Sequence, residues 1–206
     1  MNRSLYGILM KFPAPGRVKT RLAREIGAQR AAELYRLITE KIMENTHPGD
    51  SSYERTVFYT PENMKDEFGK WFPGETLLPQ RGNDLGEIMA NSLRDLFDMG
   101  AAKAVITGSD IPSLDRDVVG QAFMELDCAD VAIGPAADGG YYLIGMKALH
   151  EDIFRGIPWG SGTVFRETVS AIGRLGLTYR TVSPLSDLDT VEDLHRMKSP
   201  LHSEQE

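Results

Sequence analysis

A single cysteine, Cys128, stands in the 206 residues, so no internal disulfide framework can staple the chain. Its expected place is a packed one, as a small hydrophobe in a reducing cytoplasm. The four histidines, His47, His150, His195 and His202, are scattered without the spacing of a zinc site. No apolar run approaches the roughly 18 residues of a membrane helix. The opening run LYGILM (residues 5–10) is too short for a signal-peptide core and lacks a small-residue cleavage site. These absences predict a cytoplasmic protein with no membrane partner. Basic residues are outnumbered, 23 to 30, for a net charge of -7, which argues against nucleic acid as a partner. The P-loop spacing G-x-x-x-x-G-K-[ST] and the dinucleotide-binding G-x-G-x-x-G are both missing.

What is present is an alternation of short apolar runs with helical periodicities. Strands are expected at 5–10, 55–59, 75–78, 104–107, 130–134, 141–146 and 178–182. Helices are expected at 28–46, 62–68, 85–99, 115–126, 163–175 and 191–197. In the first of these, Ala31, Leu34, Leu37, Ile38 and Ile42 recur at helical spacing on one face. The loop between 134 and 141 is too short for a crossover helix, so one strand there should run antiparallel. The pattern predicts an α/β fold, a three-layer Rossmann-like sandwich with a mixed, mostly parallel central sheet. No linker divides the chain. Residues 1–206 read as a single domain, with 198–206 a polar, frayed tail.

The charge is unevenly placed. Before the first acid, Glu25, lie Arg3, Lys11, Arg17, Lys19, Arg21 and Arg24. A basic opening on an acidic chain points to one local anion site, the alternative being a run of solvated charges. Within it, KFPAPGRVKTRL (11–22) leaves the first strand and enters a helix. Two prolines stiffen this loop, and Gly16 lets backbone approach a ligand closely. Lys11, Arg17, Lys19 and Arg21 can then surround a polyphosphate, with free N–H groups of the helix start assisting.

Carboxylates follow at two places. Gly108-Ser109-Asp110 leaves a strand at the carboxyl edge of the sheet, where ligands of open α/β sheets lie. Asp110 there can bind Mg²⁺ or Mn²⁺ through oxygen, or serve a turn or helix cap. Asp187-Leu188-Asp189-Thr190 is the second place, where Asp189 or Thr190 can start a short helix. Asp138-Gly139-Gly140-Tyr141 joins two strands as a turn. Trp159 to Thr163 precedes a helix that Ser161 or Thr163 can cap.

Taken in order, these segments resemble the nucleotide-diphospho-sugar transferase superfamily of GT-A fold. The match is to a bacterial branch labelled glycosyltransferase and associated with radical-SAM proteins, related to the phospholactate guanylyltransferases. The resemblance implies a nucleotide-phosphate loop at Lys11, Gly16, Arg17, Lys19 and Arg21. It implies a nucleotide site that also includes Gly108, Ser109 and the segment Gln80, Gly82, Asp84 and Leu85, which lies near the base in relatives. A metal site at Asp110 and Asp189, with Asp187 behind Asp189, and an acceptor pocket at Asp138, Gly139, Gly140, Tyr141, Trp159 and Ser161 complete it. Lys19, Arg21 and Asp110 are the catalytic candidates. Two departures stand out: Val191 occupies a usual proline position, and Gly160 a usual serine position.

The expected activity is metal-dependent nucleotidyl transfer from a nucleoside triphosphate to a phosphorylated small-molecule acceptor, releasing pyrophosphate. Glycosyl transfer from a nucleotide-diphospho-sugar is the alternative. Many metal-dependent glycosyltransferases of this fold carry D-x-D where this chain has Gly108-Ser109-Asp110, which favours a triphosphate donor. A nucleotide-binding module without chemistry is the third reading. The nucleotide base, acceptor and oligomeric state have no sequence signal.

Overall fold

A computed structural model describes residues 3–49, 53–188, 190, 192 and 193. In chain order it contains β1 (Arg3–Lys11), α1 (Thr20–Ile26), α2 (Ala28–Asn45), β2 (Tyr53–Thr60), α3 (Lys65–Trp71) and β3 (Thr76–Pro79). Then come α4 (Leu85–Asp98), β4 (Ala101–Thr107), α5 (Arg116–Cys128), β5 (Val131–Pro135), β6 (Tyr141–Met146), α6 (Val164–Arg174) and β7 (Tyr179–Thr181). The strands form one sheet in the order β3-β2-β1-β4-β6-β5-β7. All pairings are parallel except those of β6, which runs antiparallel to both β4 and β5. This is the strand that the short 134–141 loop obliges to turn back.

Period-two alternation divides the sheet's side chains between two cores. Tyr6, Ile8, Met10 and Val105 face Ile38 and Ile42 of α2 and Val119, Ala122 and Phe123 of α5. Leu5, Ala104, Ile106 and Ile144 face Met89, Leu93 and Leu96 of α4 and Ile172 of α6. The strands are therefore covered on both sides, the mixed three-layer α/β arrangement expected.

Local chemistry sets the helix ends. Asp84 caps α4 by accepting from the Glu87 amide at 2.9 Å, and Asp115 caps α5 by accepting from the Val118 amide at 3.0 Å. The helical stretch after the basic loop is two helices, because Gly27 at φ 87° breaks α1 from α2. Two expectations of burial and one of placement need correction. Leu37 is exposed, and α2 instead buries Ala32, Tyr35, Thr39 and Met43 beside Ala31, Ile38 and Ile42. Cys128 is exposed, two residues past Leu126 and off the buried stripe of α5. Arg3 opens β1 and pairs with Glu54, so it lies at the opposite sheet edge from Lys11. The expected helix at 191–197 lies almost wholly outside the described residues, as does the tail. Among the described residues, no helix is long and apolar enough to cross a membrane.

Candidate functional site

A cavity of about 700 Å³ opens where the parallel strands end. Strand order changes direction between β1 and β4, and such a switch point leaves a crevice because the connections on its two sides depart to opposite faces. The wall is built from Lys11 at the end of β1, Gln80 after β3, Gly108 to Asp110 after β4 and the β5–β6 turn with Tyr141. Trp159 and Ser161 complete it from the segment before α6, and Asp187 from the segment after β7.

The basic loop forms one side. Phe12 anchors it, packing edge-on against Phe68 (5.8 Å between centroids) and Trp71 (6.4 Å). The Phe12 amide also donates to the Thr60 carbonyl at 2.8 Å. Gly16 at φ 75° makes the turn that brings the Arg17 amide 3.0 Å from the Ala14 carbonyl. Gly16 does not line the cavity. Its positive φ is a backbone requirement that glycine meets without strain. Lys11, Arg17 and Arg21 are exposed on the cavity wall. Among the described residues none of the three has an acidic partner. In a chain with more acids than bases, three cations on one wall without acidic partners among the described residues make that wall suited to an anion.

Lys19 differs from the other three. Its side chain is only 3% exposed, and its Nζ lies 3.2 Å from Oδ2 of Asp110. The residue sits in the left-handed region, φ 46° and ψ 47°, immediately before α1. A non-glycine residue there carries backbone strain of order 1 kcal/mol or more, which the ion pair helps to hold. With only seven residues, α1 adds little dipole to the site.

Opposite stands Asp110, its side chain 41% exposed. The capping alternative does not hold for it, since Asp115 starts α5. Its loop is held from below by Tyr35, whose hydroxyl lies 2.7 Å from Ser109 Oγ and accepts from the Lys11 amide at 3.0 Å. One buried phenol thus ties the residue that ends β1 to the loop after β4. Burial pushes the Tyr35 pKa above its ordinary value, against the opposing hydrogen bond to Ser109, and keeps the phenol neutral. Ser109 lines the cavity, yet its hydroxyl is committed to Tyr35.

The second carboxylate arrives along the chain that follows β7. The Leu185 amide donates to the Pro135 carbonyl at 3.1 Å, and the Tyr142 hydroxyl to the Ser183 carbonyl at 2.7 Å. The Leu188 amide then donates to the Asp110 carbonyl at 3.3 Å, with Leu188 buried in the core. Asp187 consequently faces the same cavity as Asp110. Asp189, the first choice from the sequence, lies outside the described residues.

The far end is aromatic. The Tyr141 and Trp159 rings meet edge to face at 6.4 Å. A β-carbon on Gly86 of α4 would stand 2.9 Å from the Trp159 ring, so the indole needs glycine there. The Tyr141 hydroxyl is buried, facing that of Thr168 without a hydrogen bond of ordinary geometry. The Asp138 side chain accepts from the Gly140 amide at 2.9 Å. The Gly139 carbonyl accepts from the Phe165 amide at 2.9 Å. Neither Ser161 nor Thr163 caps α6 with its side chain; the Gly139 carbonyl satisfies that helix start instead.

Most of the expected residues therefore meet on one cavity: Lys11, Arg17, Lys19, Arg21, Gln80, Leu85, Gly108, Ser109, Asp110, Asp138, Gly140, Tyr141, Trp159, Ser161 and Asp187. Gly16, Gly82, Asp84 and Gly139 do not line it. Asp84 is occupied as the α4 cap. Gln80 spends its side-chain amide hydrogens on the Met10 and Phe58 carbonyls, at 2.9 and 2.8 Å, clamping β1 to β2. The sequence reading missed Tyr35, Gly86, Ile88 and Met89. A tyrosine on the buried stripe of α2 was the available signal, since a buried phenol needs a partner.

Residues 45–161 match the family described as uncharacterized proteins conserved in bacteria, DUF2064. The chain is also 34% identical to a protein of Desulfovibrio desulfuricans G20 provisionally named a nucleotide-diphospho-sugar transferase. That match covers 100% of this chain and 90% of the other, with a TM-score of 0.91. The chain belongs to the DUF2064 family. Its fold is that of the nucleotide-diphospho-sugar transferases. It is shared, at much lower identity, by a CMP:2-keto-3-deoxy-manno-octonic acid synthetase complexed with CTP (11% identity, 96% of this chain and 97% of that one, TM-score 0.59). A 4-diphosphocytidyl-2C-methyl-D-erythritol synthase also shares it (13% identity, 96% and 98%, TM-score 0.63). No curated protein matches the sequence.

Whether this DUF2064 site suits a divalent cation can be judged from its donors. Asp110 and Asp187 bring carboxylate oxygens to one cavity, the donor type that Mg²⁺ and Mn²⁺ prefer. Among the described residues there is no group of three or more His, Cys, Asp or Glu suited to a metal. That composition fits an ion bound by few protein carboxylates and completed by phosphate and water, as Mg²⁺ commonly is.

Proposed function

We propose that this protein is a nucleotidyltransferase that takes a nucleoside triphosphate and a small-molecule acceptor in the cavity at the strand ends. The observation that carries the reading is the trio Lys11, Arg17 and Arg21, exposed and without acidic partners among the described residues, facing the carboxylates Asp110 and Asp187. Cations on one wall meet the phosphate chain. In the reaction an acceptor oxygen forms a bond to the α-phosphorus, the bond from that phosphorus to the bridging oxygen breaks, and pyrophosphate leaves. Such a displacement calls for positioning and charge neutralisation more than covalent help. Arg17 and Arg21 stabilise the departing pyrophosphate, and Lys19, held by Asp110, keeps the basic loop close to the carboxylates. Asp110 and Asp187 would hold Mg²⁺ or Mn²⁺, with Asp189 as a third candidate. When bound, that ion supplies charge neutralisation at the phosphate oxygens.

Glycosyl transfer from a nucleotide-diphospho-sugar is the second reading, favoured by the name of the Desulfovibrio relative. Assaying pyrophosphate release with each nucleoside triphosphate, a panel of acceptors and Mg²⁺ or Mn²⁺ tests the proposal. Pyrophosphate formed only when acceptor and cation are both present supports it and excludes a binding module without chemistry. Release of a nucleoside diphosphate from a nucleotide-sugar, with no pyrophosphate from any triphosphate, overturns it.

A further inference from the structure

Charge on the cavity wall is one-sided. Every lysine or arginine that lines it comes from residues 11–21. The end built by α4, the β5–β6 turn with Tyr141 and the segment before α6 presents Leu85, Met89, Asp138, Tyr141, Trp159 and Ser161 to the cavity, with the Tyr141 and Trp159 rings in contact. Among the described residues, no Lys, Arg or His of these elements lines the cavity. The carboxylate at that end is Asp138, exposed and anchored through the Gly140 amide at 2.9 Å. The turn that carries Asp138 is packed against the segment that carries Trp159. A β-carbon on Gly139 would stand 2.2 Å from the Gly162 carbonyl oxygen, so carboxylate, indole and Ser161 are held together by backbone contact.

We infer that this end of the cavity takes an uncharged, hydroxyl-bearing group and rejects a phosphate or a carboxylate. The inference deepens the functional reading above and rests on it. It departs from the phosphorylated acceptor that the sequence led us to expect. A phosphate placed here would lose water without meeting a basic side chain of the described residues and would be repelled by Asp138. A hydroxyl instead donates to the Asp138 carboxylate, and an apolar face covers the Trp159 and Tyr141 rings. Asp138 already accepts one backbone hydrogen bond and is open to water, so it acts as an acceptor of hydrogen bonds more than as a counter-charge for an ammonium group. In nucleotidyl transfer the nucleophile is then the acceptor hydroxyl. Its oxygen bonds to the α-phosphorus, its proton passes to solvent, and pyrophosphate leaves.

The test uses the full chain saturated with its tightest-binding nucleoside triphosphate and Mg²⁺. Titration calorimetry compares glycerol with glycerol 3-phosphate, and glucose with glucose 6-phosphate and glucosamine. At least one neutral member should bind, with its phosphate ester about tenfold weaker or worse. Asp138→Asn keeps an oxygen for the Gly140 amide but removes the charge, and should narrow that gap about fivefold. Phosphate esters binding as tightly as their parents, glucosamine binding tightest, no neutral compound binding, or an unchanged gap in D138N would each overturn the inference. Nucleotide affinity alone, and its loss in Lys11→Ala, reports separately on the anion end. Failure there sinks the functional reading, whereas intact nucleotide binding with a preference for phosphate esters sinks only this one.

Discussion

The backbone of Leu188 is hydrogen-bonded to that of Asp110, amide to carbonyl, at 3.3 Å. Two segments 78 residues apart in sequence, which number is 188 minus 110, are thereby joined at the cavity rim. Leu188 is buried, and its apolar side chain fixes the chain so that Asp187 shares the cavity with Asp110. Replacing it by alanine should cost about 2–4 kcal/mol of stability. It should also weaken Mn²⁺ binding in the presence of nucleotide, although both carboxylates remain. Unchanged Mn²⁺ affinity in a folded Leu188→Ala protein would show that the bond does not position the second carboxylate.

Asp110→Asn preserves shape and removes charge. Because Asp115 caps α5 and Asp110 does not, the fold should be intact. Divalent-cation binding and cation-dependent turnover should be lost, since a hard ion needs the carboxylate. Calorimetric titration of Mn²⁺ with nucleotide present decides this. Wild-type affinity in the variant would remove Asp110 from the metal site.

Lys19→Ala breaks a pair whose cation is buried and whose anion is partly solvated. Asp110 can turn to water, so the stability loss should stay near 1–3 kcal/mol and the protein should fold. Nucleotide affinity should fall about 10- to 100-fold, from loss of one charge-assisted contact and of loop placement. Circular dichroism melting beside nucleotide titration separates the two effects; a folded variant with unaltered nucleotide affinity would remove Lys19 from the site.

Tyr35→Phe deletes the hydroxyl that joins the Lys11 amide to Ser109. The buried Ser109 hydroxyl and the part-buried Lys11 amide lose a partner, which costs about 1–3 kcal/mol. Nucleotide binding should weaken while Phe12 and the aromatic cluster hold the rest of the basic loop. A variant as stable as wild type would show that the phenol bridge contributes nothing.

The alternation of strands and helices, the single reversed strand and the α5 cap at Asp115 were readable because each depends on local chemistry: period, loop length and turn residues. The cavity was readable for the same reason, since strand ends in an α/β sheet share one edge. What escaped depends on partners distant in sequence. Ser109 and Gln80 look free in the sequence but are committed to Tyr35, Met10 and Phe58. Arg3 counted with the basic run, yet a strand separates its charge from that of Lys11. Gly16 and Gly139 stand out in the sequence, and the structure adds a reason that the sequence does not show, a turn at Gly16 and a close backbone contact at Gly139.

Under the proposed function the basic loop reads a triphosphate. Lys11, Arg17 and Arg21 are more cation than a diphosphate beside Mg²⁺ requires. The direct measurement is the Kd of matched triphosphate, diphosphate and diphospho-sugar forms of one base, at fixed Mg²⁺ and salt, for wild type and for Arg17→Ala and Arg21→Ala. The triphosphate should bind about tenfold or more tightly than the other two, and each arginine variant should lose most of that preference. Tighter binding of the diphospho-sugar, or a preference untouched by either variant, would contradict the account.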